Sequence, residues 1–128
     1  MSSDEMQKQA DALNELTSLI TKLDNLRSAL RDFDRLRLDG ARFLNWQEEE
    51  FQEYAADMDG IRMLCQSPAG DAVRAELTDL TVFNHLCCIG EENYETDIDD
   101  GELRVIGNAL DRAMAKAELR LQKVLMGD

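Results

Sequence analysis

Hydrophobic residues recur along this chain at intervals of three and four, the period of α-helices that each bury one face. From about Asp4 to Leu38, the residues Leu13, Leu16, Ile20, Leu23, Leu26, Leu30 and Phe33 form one such stripe. It covers 20 residues in six steps, a mean of about 3.3, which is short of the 3.6 of a straight helix. The stripe therefore drifts around the helix and calls for more than one neighbour. Leu19, Leu36 and Leu38 lie partly off it and offer a surface for self-association. Asp39 and Gly40 end the segment, because glycine readily takes the left-handed conformation that closes helices.

A second segment, about Ala41 to Gln66, aligns Phe43, Phe51, Tyr54, Met58, Ile61 and Cys65 on one face. Gly60 inside it costs about 1 kcal/mol relative to alanine and marks a place for a bend. Ser67 and Pro68 read as an N-cap followed by proline in the first helical position. They open a third segment expected to run to Cys88, with Val73, Leu77, Leu80, Phe83 and Cys87 inside. From Gly90 to Ile98 the period is lost and carboxylates accumulate, as in a polar loop. Asp99 then stands three residues before Glu102, a capping-box spacing. It starts a fourth helix along Leu103, Ile106, Leu110, Met114, Ala117, Leu121 and Val124. No strand-type alternation and no internal repeat competes with this reading. The expected fold is a single all-α domain spanning residues 1–128, an antiparallel four-helix bundle with a long N-terminal helix; projection of that helix would invite a homodimer, and the alternative is a wide face buried within one monomer.

Composition sharpens the picture in two ways. With 128 residues, 44% of them hydrophobic, the chain is long enough to bury roughly two-thirds of its unfolded surface without staples. The three cysteines, Cys65, Cys87 and Cys88, are odd in number and include an adjacent pair, which reads as free thiols used as small core residues. The first residues, MSSDEMQKQ, lack the basic and apolar regions of a secretory signal. The longest uncharged window, Leu80 to Gly90, has eleven residues where a bilayer span needs roughly 20. These features predict a cytoplasmic protein with no membrane contact.

Charge is distributed unevenly. Residues 1–42 hold eight acids and seven bases, residues 43–102 sixteen acids and two bases, and residues 103–128 three acids and five bases. The net charge of −13 therefore belongs to the middle of the chain. In the second helix Glu49, Glu53 and Asp57 are four apart and Glu50 precedes Glu53 by three, a ridge with no lysine or arginine at helical neighbour positions. A second cluster contains Glu91, Glu92, Glu95 and Asp97 and continues through Asp99, Asp100 and Glu102. Of these, Asp99 and Glu102 have a local use at a helix N-terminus. Trp46 stands just before the ridge; tryptophan is enriched at interface anchors, though closing a small core is its more ordinary use.

Catalytic patterns are not evident. His85 is the only histidine, so neither a histidine pair for metal nor a serine triad with its own support emerges. Phosphotransfer through His85 would want basic neighbours that Phe83-Asn84-His85-Leu86-Cys87 lacks. Placing Gly101 at the sixth position of a calcium loop puts Thr96, Ile98 and Asp100 at ligand positions one, three and five, so the spacing fails. No cofactor or metal is expected. Direct nucleic-acid binding is disfavoured, since residues 43–102 contain only Arg62 and Arg74 as cations.

The function expected from these features is non-enzymatic. The acidic ridge and loop, with Trp46, would cover the basic surface of a partner such as a nucleic-acid-binding protein, the manner of small phage anti-defence inhibitors and immunity proteins. The alternative is a structural or chaperone-like subunit assembling through its long helices, with acidity serving solubility.

Overall fold

The computed structural model describes residues 3–39, 48–88 and 99–127, and their side chains except at 36–39, 48, 50, 51 and 54. Within these residues the chain is all-helical, with five helices packed together: α1 (Ser3–Asp39), α2 (Glu48–Cys65), α3 (Pro68–Ala75), α4 (Leu80–Cys87) and α5 (Asp100–Leu125). Gly40, Phe43, Trp46 and the loop from Gly90 to Ile98 lie outside the described residues.

The stripes read from the sequence become the core. Leu23, Leu26, Leu30 and Phe33 of α1 meet Ile61 and Cys65 of α2 and Ile106, Leu110 and Met114 of α5 in one buried cluster. Ala109, Ala113 and Ala117, four apart on α5, are buried too, and their small side chains let neighbouring backbones approach closely. α1 and α5 run antiparallel: Gln9 Nε2 donates to the Val124 carbonyl at 3.1 Å, and Arg27 stands 4.0 Å from Asp111 much further along. α2 crosses back along the far part of α1, where Glu53 meets Arg35. Both N-caps formed, with Ser67 accepting from the Ala69 N–H and Asp99 from the Glu102 N–H, while the Glu102 carboxylate that a reciprocal capping box would use lies against His85. α2 continues as helix through Gly60.

The third segment differs from the sequence reading. It is two short helices, because α3 closes on bonds from Glu76 N–H to Val73 O and from Leu77 N–H to Arg74 O, and Asp79 then caps a new helix by accepting from Thr81 N–H at 2.9 Å. The restart changes which face is inside. Leu80, expected in the core, is 45% exposed, whereas Leu86 is fully buried. Gly70 permits the tight entry into α3, since a Cβ there would collide with the backbone carbonyl of Cys65.

Candidate functional site

The acidic ridge of α2 is built by helical spacing alone, so its residues share a face and differ in what stands opposite them. Glu49 is exposed, one turn before Glu53. Glu53 is more than half exposed and its Oε1 lies 3.7 Å from Arg35 Nη2 of α1. Asp57, another turn on, is half-buried, and its Oδ2 is buried without a hydrogen-bond partner among the described residues. Burial raises the Asp57 carboxyl above the usual carboxylate range, the charges of Asp32 and Glu53 push in the same direction, and Arg35 opposes them. The ridge is thus unpaired along its own helix, as its spacing indicated, yet it borrows a cation from α1, and its Asp57 end turns away from solvent. Glu50 is on the same helix, with its side chain outside the described set.

The other candidates, Trp46, Glu91, Glu92, Glu95 and Asp97, lie outside the described residues. The structure brings Glu49, Glu53 and Asp57 together on one helix beside Arg35 and Asp32.

Two further carboxylates of the acidic middle of the chain are engaged within the fold, with partners that sequence spacing did not indicate. The Glu76 carboxylate, at the end of α3, receives Lys116 Nζ at 2.5 Å and Arg112 Nε at 3.5 Å, while Arg112 Nη2 also donates to the Glu76 carbonyl at 2.9 Å. The hydrogen bond from Lys116, then the charges of Lys116 and Arg112, hold its carboxyl below the usual range against some opposing burial. His85 Nδ1 of α4 lies 2.7 Å from Glu102 Oε2 at the start of α5. Glu102 therefore has two roles: its backbone N–H is capped by Asp99 at 2.7 Å, and its carboxylate meets a histidine 17 residues away.

Cys65 is buried and Cys87 half-buried, and burial raises both thiols, the opposite of what activates a cysteine nucleophile. Among the described residues no group of three or more histidine, cysteine, aspartate or glutamate side chains is arranged to hold a metal ion. No helix among them is long and apolar enough to cross a membrane.

Comparison with protein-family models, with curated proteins and with solved structures gave no match.

Proposed function

We propose that this chain is a non-enzymatic binding protein of the cytoplasm that recognises a basic protein surface, such as that of a nucleic-acid-binding partner, and acts by covering it. One observation carries the reading: sixteen acids against two bases in residues 43–102, in a chain whose remaining segments are near balance. An exposed helix bearing carboxylates at intervals of four presents them about 6 Å apart along its axis, an array that arranged cations can engage. Glu49 and Glu53 are the exposed part of this surface, and Glu50, Trp46, Glu91, Glu92, Glu95 and Asp97 are assigned to the same recognition from the sequence. Asp57 contributes through its charge from a half-buried position. In this reading α3 and α4 together serve as one leg of an antiparallel four-helix arrangement, and α2 is displayed on its side.

Affinity capture from the source cell tests the proposal. The unmodified chain is expected to retain a basic protein at low salt and release it near 0.5 M salt, where the screening length falls below the roughly 8 Å of physiological salt. Capture that is indifferent to salt and to replacement of Glu49, Glu50 and Glu53 by lysine contradicts it.

A second reading, a structural or chaperone-like subunit that assembles with itself, is favoured by the apolar tips of the long helices. Met6 near the start of α1 and Leu125 and Met126 at the end of α5 are 58%, 63% and 75% exposed. Self-association that persists at high salt would support this reading over occlusion by charge.

A further inference from the structure

α1 and α5 reach beyond the rest of the fold. The continuous core takes up α1 from about Leu19 and α5 as far as Ala117, with Leu16 buried just beyond it and Gln9 bonded to the Val124 carbonyl further out. Where the pair emerges, a groove of about 700 Å³ opens between the two helices and is closed at one side by Pro68. Its floor is apolar, formed by Leu16, Leu19 and Val124. Its rim is cationic, with Lys22 on the α1 wall and Arg120 and Lys123 on the α5 wall, against Glu15 as the one acid in the lining. None of the three cations has an ion-pair partner among the described residues. In a chain of net charge −13, the lining of this groove carries three cations against one acid.

The geometry points to this groove as the docking site for an amphipathic helix of a partner protein, one whose apolar stripe is flanked by carboxylates. Two antiparallel helices with an apolar seam leave the place of a third helix empty, and a helix laid there buries Leu19 and Val124 as a three-helix bundle would. Cations on both walls select acidic residues on both flanks of the incoming stripe, as charged flanking positions select partners in coiled coils. A second copy of this chain fits poorly, because two-fold pairing across the groove sets Lys22, Arg120 and Lys123 of one copy against the same cations of the other. The groove is a different surface from the ridge of α2, and its occupant is acidic where the occupant of the ridge is basic.

The test uses the full chain and two synthetic peptides of three heptads with the same leucine stripe, one with glutamate and one with lysine at the flanking positions. Amide chemical shifts report where each peptide binds. The glutamate peptide is expected to shift the signals of Leu16, Leu19, Lys22, Arg120, Lys123 and Val124 saturably. The triple variant Lys22→Glu, Arg120→Glu, Lys123→Glu is expected to bind it about tenfold more weakly, the sum of three partly exposed ion pairs. If circular dichroism shows the reversal to be unfolded, the neutral set Lys22→Gln, Arg120→Gln, Lys123→Gln replaces it, with a loss of at least threefold expected. The proposal is overturned if the glutamate peptide leaves those signals unmoved at about 1 mM, if the lysine peptide occupies the groove equally well, or if the folded variants bind the glutamate peptide undiminished. A dimer in solution whose groove amides are protected would also overturn it, in favour of a second copy as the occupant.

Discussion

Arg35 of α1 lies 3.7 Å from Glu53 of α2, so the acidic ridge is tied at its middle to the longest helix. The arginine and glutamate side chains are 60% and 57% exposed, and ion pairs of that kind contribute at most about 1 kcal/mol. Glu53→Lys is therefore expected to lower stability by about 1 kcal/mol or less and to leave the helical circular dichroism spectrum unchanged. A loss of several kcal/mol in chemical denaturation would show that the pair holds α2 in place, and would make charge reversal at Glu53 a poor probe of binding.

Asp57 is expected to oppose stability at neutral pH. Burial, with Asp32 and Glu53 nearby, raises its carboxyl in the folded state above its unfolded value. The folded chain then binds the proton more tightly than the unfolded one. The cost of the charge is thus present at neutral pH and is relieved as pH falls through the raised value. Asp57→Asn is expected to raise the melting temperature at pH 7, by an amount corresponding to no more than about 1 kcal/mol at this half-buried site. The gain should shrink on acidification. Equal stability of variant and parent across the range would mean that Asp57 is solvated.

Glu76 has the opposite sign. Lys116 and Arg112 hold its folded-state carboxyl below its unfolded value, so its contribution is present above the ordinary carboxylate range and is lost as pH falls through the lowered value. Glu76→Gln is expected to lower the melting temperature at neutral pH and to match the parent once both are acidified. The measurement is a pair of thermal melts, and a difference that survives at acid pH would assign the effect to packing.

The restart of the chain at Asp79 sets a clear contrast in the core. Leu86→Ala removes a fully buried side chain and is expected to cost about 2–5 kcal/mol. Leu80→Ala, at a site 45% exposed, is expected to stay within about 0.5 kcal/mol. Gly70→Ala forces a methyl group against the Cys65 carbonyl and is expected to cost about 1–3 kcal/mol. Urea denaturation orders the three, and a Leu80 effect matching that of Leu86 would restore a continuous third helix.

How much of this was legible depends on whether the signal was local. The core of α5, from Ile106 through Ala117, and the caps at Ser67 and Asp99 depend on residues within a turn or two of one another, so the sequence revealed them. The break between α3 and α4 did not show, because Thr78 and Asp79 fit a polar helix face as well as they fit a cap. The partners of the acids were also hidden: Arg112 is 36 residues from Glu76, and the Arg35 that meets Glu53 belongs to another helix. The cationic groove escaped because segment totals of charge average Lys22, Arg120 and Lys123 with acids on other faces of α1 and α5. Gly70 carried no sequence signal, since its constraint comes from the carbonyl of a residue in the preceding helix.

The most direct test of the central claim is the affinity for the captured partner, measured by titration calorimetry at several salt concentrations, for the parent and for Glu49→Lys with Glu53→Lys. Both substituted residues are exposed, so circular dichroism should confirm an intact fold. The parent is expected to lose affinity steadily as salt rises, and the double variant to bind at least tenfold more weakly at low salt with a shallower dependence. The set Glu91→Lys, Glu92→Lys and Glu95→Lys, measured alongside, shows whether the loop shares the surface. If the double variant binds as tightly as the parent and affinity does not change with salt, recognition through the acidic surface is contradicted.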